Sequence, residues 1–295
     1  MPSLRLDRLV SLHLAHPARQ IFRVRHGPRI PILMYHSIEE GPSDARPYYD
    51  INTSPARFEE QMKLLSDEGY RTIHLNEAVK SLADGARDSK CVVITFDDGY
   101  RNFATAAYPV LARFNFTAEL FVPSELIQDR TAEFLGRELL TWSELRELQA
   151  CGIHVGSHSA SHSKLKFLSD AELEKEVARS KNTIEDKTGQ PVRSFSYPYA
   201  FPETDVVFAQ TLRKLLIKHG YENGVTTVLG TAGRSSDPFL LPRLPVNSSD
   251  DLTLFQAKLE GSYNWLHAFQ YVTKRIQQLR HHPARSSSIP DTGRI

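Results

Sequence analysis

Short, nearly continuous apolar runs alternate along this chain with longer stretches whose apolar residues recur every three or four positions. The first run, residues 31–38, suits a buried strand. Ser54-Pro55 then opens a helix, with Ser54 as N-cap and Pro55 at the first helical position. Phe58, Met62 and Leu65 form its apolar stripe, and Gly69 ends it. A second short helix is expected over 76–83. Residues 91–96, Cys-Val-Val-Ile-Thr-Phe, are almost all apolar or β-branched, as in a strand covered on both faces.

A helix over 104–114 and a strand over 118–122 follow. Residues 123–139 carry mixed charges without periodicity and read as a surface excursion. Thr141-Trp-Ser-Glu144 and Ser169-Asp-Ala-Glu172 are capping boxes, with Leu140/Leu145 and Leu168/Leu173 placed as hydrophobic staples. Their helices end at Gly152 and near Lys187. Strands are expected over 153–156, 193–197, 224–229 and 239–246, a helix over 205–219, and a last helix over 251–279. Six or seven strands alternating with helices predict a parallel sheet covered by helices, in a single domain. No Gly-rich phosphate loop follows the first strand, so a closed or distorted barrel is favoured over an open nucleotide-binding sheet. In such barrels the chemistry sits at the C-terminal ends of the strands.

The chain has 295 residues, ample for a core that needs no staples. Its two cysteines, Cys91 and Cys151, exclude a disulfide scaffold or a Cys-based zinc module. Lys plus Arg number 36 against 35 Asp plus Glu, too flat a balance to give a global field for nucleic acid. No segment approaches the ~18 apolar residues of a membrane span, and the N-terminus is a poor signal peptide. The expected location is therefore cytoplasmic. Residues 1–30 stand apart, with six arginines against Asp7 alone and a net charge of +5. Leu6, Leu9, Val10 and Leu14 fall on one helical face of this segment. Such a basic amphipathic stretch suits peripheral contact with an inner-membrane surface, or a helix docked on the protein's own body. Residues 281–295 are polar, with Pro283 and three successive serines, and read as a disordered tail. The folded body is thus bounded at 31–280.

Two predicted strand ends carry chemistry. Thr95-Phe-Asp97-Asp98-Gly99 ends a strand with adjacent carboxylates, one of which resists ionising unless a cation is near. Asp-Asp-Gly is also ordinary turn chemistry. His158-Ser-Ala-Ser-His162 lies just beyond another strand, and histidines four apart can chelate one metal. Alone, they also fit two exposed histidines at a polar turn. Together the segments supply two imidazoles, one carboxylate for a metal and one carboxylate as base. A third strand end, Tyr197-Pro198-Tyr199, can aim the Tyr199 backbone N–H into the site as an oxyanion donor, or simply pack as an aromatic turn.

In this combination and order the chain resembles the polysaccharide deacetylases of the NodB-homology fold, carbohydrate esterase family four. The blocks are Thr95–Gly99, His158–His162 and Tyr197–Tyr199, spread over a body running from about residue 31 to 246. Met34-Tyr35-His36 and Leu241-Pro-Arg243-Leu-Pro245 are similar to the exopolysaccharide and poly-N-acetylglucosamine branch. The resemblance implies a distorted (β/α) barrel of seven or eight strands and metal-dependent removal of an acetyl group from an N-acetylated sugar. It implies Asp98, His158 and His162 as metal ligands and Asp97 as general base. The chain departs from the common pattern at Ser196, where many members carry an arginine that orients the base. Arg193 or Arg243 can substitute, and Arg243 is preferred because it lies on the closing strand. The acid histidine that many members carry on the last strand is also missing; in the resembled branch His36 on the first strand takes that role. His36 also fits a rim histidine satisfied by a backbone group.

The implied reaction is hydrolysis of an acetamide: Asp97 takes a proton from water, Tyr199 N–H faces the oxyanion and His36 protonates the leaving amine. Two imidazoles and a carboxylate suit Zn2+, with Co2+, Ni2+ or Fe2+ able to replace it. Three other readings are a deacylase of a lipid-linked amino sugar, a non-catalytic carbohydrate-binding or scaffold protein, and a non-haem iron oxygenase. The last is disfavoured by the absence of a His-x-Asp pair. Oligomeric state, linkage and polymer length are not fixed by the sequence.

Overall fold

The computed structural model describes residues 5–17, 29–41, 50–85 and 90–272. Seven parallel strands form a closed barrel in chain order: β1 (Ile32–Tyr35), β2 (Cys91–Phe96), β3 (Glu119–Val122), β4 (His154–Ser157), β5 (Ser194–Ser196), β6 (Asn223–Leu229) and β7 (Leu241–Pro245). The β7–β1 pairing, with Leu244 opposite Leu33 and Pro245 opposite Met34, closes the ring. This is a parallel (β/α) barrel in one domain, as the alternation of runs predicts, and it matches the distorted barrel that the NodB-homology resemblance implies. An eighth, two-residue strand, Arg71–Thr72, pairs with the first half of β2, while β3 pairs with its second half. The barrel is thereby split at its lower end, and the chain after Thr72 enters the gap.

Alternation along each strand sorts the side chains into two clusters. Leu33, Val92, Ile94, Leu120 and Val155 face the surrounding helices. Ile32, Val93, Phe121, Val225 and Leu241 fill the lower barrel, plugged by Leu75 and Ala78. The helices are α1 (Pro55–Asp67), α2 (Leu75–Asp84), α3 (Tyr108–Arg113), α4 (Trp142–Ala150), α5 (Asp170–Thr188), α6 (Val206–Lys218) and α7 (Leu252–Leu259). Ser54 caps α1 with Pro55 at its first position, and both capping boxes form on α4 and α5. Inside the wall only glycine fits at 156, because a Cβ there would lie 2.5 Å from the Phe121 ring and 3.0 Å from the Ser194 carbonyl oxygen. Between β6 and β7 the register slips beside Pro242, which has no N–H to give the ladder.

Three expectations need correction or delimitation. The last helix is not continuous over 251–279. Helix α7 stops at Leu259, Gly261 takes φ +77°, and a new helical run covers 265–272; residues 273–279 and the tail 281–295 lie outside the described residues. The excursion 123–139 contains a small hairpin, Glu133–Phe134 with Arg137–Glu138. The N-terminal segment, described over 5–17, docks on the body through its polar face. Asp7 and Ser11 are buried, Arg5 bonds Asp7 and Asp250, Arg8 bonds Asp251, and Tyr263 and Trp265 donate to Asp7 and Ser11. Its Leu6 and Leu14 point outward, each 65% exposed. Neither cysteine forms a disulfide among the described residues. Among the described residues no helix is long and apolar enough to cross a membrane.

Candidate active site

The loops after β2, β4 and β5 and the end of β1 meet at the C-terminal mouth of the barrel. Asp97 and Asp98 follow β2 directly, His158 follows β4, and His36 follows β1. Asp98 is in the left-handed region at φ +72°, as are Ser159 (+63°), His162 (+57°) and Tyr199 (+59°). Non-glycine residues held there store backbone strain, and such strain clusters where side chains must be aimed. At Asp98 the turn reverses the strand's alternation. Asp97 points into the barrel, and its neighbour turns across the mouth.

Asp98, His158 and His162 come together, with donor atoms all within 4.8 Å of one another. Asp98 Oδ1 lies 3.4 Å from His158 Nε2 and 3.2 Å from His162 Nε2. Ligands about 2.0–2.1 Å from a tetrahedral ion are about 3.3 Å apart, so this spacing already fits one divalent cation. His158 Nδ1 is 2.8 Å from the Ser196 carbonyl oxygen, to which it donates. That bond fixes the ring and leaves Nε2 as the ligand atom, the usual support for a metal-bound imidazole. All three side chains are buried. Burial opposes the Asp98 charge, but the two imidazoles outweigh it and hold this carboxyl well below its ordinary range. Burial likewise works against a charged His158, and Asp97 and Asp98 outweigh it, so that its pKa is raised.

Asp97 sits one layer below, against Arg243. The Arg243 guanidinium donates to Asp97 Oδ1 at 2.8 Å and Oδ2 at 2.7 Å, a bidentate pair with Arg243 0% and Asp97 2% exposed. Its remaining donors reach the Thr226 carbonyl (3.0 Å), Thr95 Oγ1 (3.1 Å) and Ser196 Oγ (3.1 Å). The Thr226 carbonyl lies in the slipped register of β6, so the strand irregularity helps seat the arginine. Burial pushes the Asp97 carboxyl up, but Arg243 and His158 more than offset it and keep it ionised. His36 Nε2 lies 3.9 Å from Asp97 Oδ2, and burial holds this imidazole below its ordinary pKa. Of the two arginines considered for Ser196, Arg193 is at the surface paired with Glu222, and Arg243 faces the base.

Tyr199 is 46% exposed, with its ring 4.7 Å from that of His162 and Lys164 over its outer face. Phe134 of the small hairpin packs edge-on to His162 at 5.0 Å. Trp142 is buried at the start of α4. Sequence reasoning missed Glu176. From α5 it accepts hydrogen bonds from the N–H groups of Ala160 and Ser161 and from Ser161 Oγ, pinning the loop that carries both histidines. Ser180 adds a bond to the Ser159 carbonyl. Glu176 reads as one more acid on an exposed helix face, and no local signal separates it from its neighbours.

Fold and site together define a single-domain parallel (β/α) barrel with its chemistry at the C-terminal mouth. Residues 84–224 match the family model described as Polysaccharide deacetylase. The YxkH protein of Bacillus subtilis (strain 168), whose name places it among polysaccharide deacetylases, is 33% identical over 234 residues, 79% of this chain and 77% of that one. The poly-beta-1,6-N-acetyl-D-glucosamine N-deacetylase of Staphylococcus aureus (strain MSSA476) is 24% identical over 221 residues, 71% of this chain and 72% of that one. Among solved structures, the deacetylase PplD of Streptococcus pyogenes, in complex with acetate, superposes with a TM-score of 0.68 at 24% identity, over 79% of this chain and 99% of that one. The chain belongs to the polysaccharide deacetylase family.

Proposed function

We propose that this protein removes N-acetyl groups from an N-acetylated amino sugar in a polysaccharide or oligosaccharide, using one divalent metal ion, Zn2+ by preference. The observation that carries the reading is the juxtaposition of two carboxylates with separate duties. Asp98 joins His158 and His162 at ligand spacing, while Asp97 is withheld from that cluster by the buried Arg243. A divalent ion held by the three ligands supplies a Lewis acid for the acyl carbonyl and lowers the pKa of a water molecule.

The chain's own groups do the rest. Asp97, kept ionised and oriented by Arg243, takes a proton from the attacking water. The Tyr199 backbone N–H faces the oxygen on which charge develops, a contact typically worth about 10²–10³ in rate. The C–N bond then breaks, and the amine leaves with the proton, passed from Asp97 directly or through the neighbouring His36. Water and an acetamide give acetate and an amine, and protons balance. Beside the metal ligands, exposed Tyr199 and the Phe134 hairpin offer aromatic surface for a sugar ring. The test is release of free amine from N-acetylglucosamine oligomers with and without a chelator. The reading expects activity that the chelator abolishes and Zn2+ restores. Chelator-insensitive release, or none with metal present, contradicts it.

A second reading concerns where the substrate is carried. The outward Leu6 and Leu14, next to the arginine-rich stretch up to residue 30, suit an anionic membrane surface on the cytoplasmic side and hence a lipid-linked amino sugar. Flotation with anionic vesicles, reduced by Leu6→Ser/Leu14→Ser, supports it; equal flotation of both proteins does not.

A further inference from the structure

A second cluster of ligand-type side chains lies at the opposite mouth of the barrel. Glu119 is the first residue of β3, His154 the first of β4, and His74 the N-cap of α2, which enters where Arg71–Thr72 splits the barrel wall. One donor atom from each lies within 4.8 Å of the others. Strand polarity separates this cluster from Asp98, His158 and His162 by the full height of the barrel. We infer that His74, Glu119 and His154 form a second divalent transition-metal site, taking Zn2+, at the N-terminal mouth.

Three observations support this assignment beyond proximity. First, the tautomer of His74 is fixed. Thr117 Oγ1 donates to the Gly152 carbonyl at 2.8 Å, so it accepts from His74 Nε2–H at 3.3 Å. His74 Nδ1 is thus an inward lone pair, and it is buried with no hydrogen-bond partner among the described residues. A buried acceptor without a donor is costly, and a cation removes that cost. Second, Glu119 is 2% exposed inside the barrel, with no cationic side chain paired to it among the described residues. One oxygen accepts the Leu75 N–H at 2.6 Å. A buried carboxylate without a countercharge is costly, and a cation supplies that charge.

Third, there is room and freedom to close. Glu119 and His154 line a cavity of about 560 Å³, together with Gln149, whose Oε1 is also buried without a partner. The imidazoles of His74 and His154 lie face to face, 3.3 Å between centroids and 5° between planes. Two imidazolium rings would repel there, so the stack suits neutral rings with free lone pairs. The exposed His154 ring can swing out of the stack to bring its lone pair toward the ion. Two imidazoles and one carboxylate form an open zinc set, with the cavity side left for a further ligand. Such an ion would tie α2, the plug of the lower barrel, to two strands of its wall.

The test counts Zn2+ on the full chain by competition with a colorimetric chelator. Asp98→Asn/His162→Gln removes the upper cluster, so that the two sites report separately. The inference expects two equivalents on the wild type and one on Asp98→Asn/His162→Gln. Adding His154→Gln or Glu119→Gln should take that last equivalent away. His154 is exposed, so its variant should fold, and an unchanged circular dichroism melt checks this. Absence of zinc on Asp98→Asn/His162→Gln overturns the inference. So does an equivalent that survives both His154→Gln and Glu119→Gln. If the wild type instead binds one ion that is lost with His154→Gln and not with Asp98→Asn, the lower site stands and the upper one falls.

Discussion

Replacing Arg243 by Met tests whether the base is held by one buried arginine. The guanidinium and the Asp97 carboxylate share two hydrogen bonds of 2.7 and 2.8 Å with almost no exposure, which puts their charge centres about 4 Å apart. At an effective dielectric of about 20 that attraction is ~4 kcal/mol. Breaking such a pair on one side typically costs about 3–5 kcal/mol, because the survivor stays buried without a countercharge. Without the guanidinium, burial is left to push the Asp97 carboxyl up, which weakens its readiness to act as the ionised base. Arg243→Met should therefore lose both stability and turnover. Asp97→Asn/Arg243→Met, which removes both charges, should be far less unstable than the sum of the single changes. Urea unfolding in the presence of a chelator reads the cycle without metal. Additivity within ~0.5 kcal/mol would show the pair to be uncoupled and would refute this account of the base.

Asp97→Asn alone should bind zinc at the upper cluster as the wild type does, and lower amine release by about 10²–10⁴; normal turnover reassigns the base. Glu176→Ala, which releases the loop carrying His158 and His162, should weaken zinc binding about 10–100-fold in a competition titration. Gly156→Ala forces a Cβ against Phe121 and the Ser194 carbonyl and should cost about 1–3 kcal/mol in urea unfolding. The N-terminal helix should detach in acid. Burial raises the Asp7 carboxyl, but Arg5 and Tyr263 more than offset it and leave it below its ordinary value. Its anchoring is thus complete above about pH 4 and is lost as pH falls through the lower folded value. Trp265 fluorescence in a Trp142→Phe background follows this, and a signal flat down to the global acid transition counts against it.

Features set by neighbours in sequence were legible in advance. Ser54-Pro55, both capping boxes and the apolar run of β2 state their structure within six residues, because caps and buried strands depend on local chemistry. The three blocks at strand ends were legible for the same reason, once a parallel barrel gathers strand ends at one mouth. What depended on closure was less so. Arg243 reaches Asp97 across 146 residues, and only the β7–β1 pairing and the register slip beside Pro242 decide that it, and not Arg193, points inward. The N-terminal leucines mark one helical face, but periodicity does not say which face docks; ion pairs to Asp250 and Asp251 chose the polar one. The apolar spacing over 251–279 predicts one helix, but α7 ends at Leu259 and Gly261 turns the chain in the left-handed region. His74, Glu119 and His154 lie in three elements whose meeting depends on a split in the barrel wall, which no spacing announces.

The central claim is that Asp98, His158 and His162 hold one ion beside an arginine-bound Asp97. Anomalous diffraction at the zinc edge, from crystals equilibrated with Zn2+, tests it most directly. The account predicts a peak about 2.0–2.2 Å from an Asp98 oxygen, His158 Nε2 and His162 Nε2, with Asp97 still on Arg243. A map with no peak among those three atoms, or with Asp97 turned from Arg243 to take Asp98's place on the ion, contradicts it.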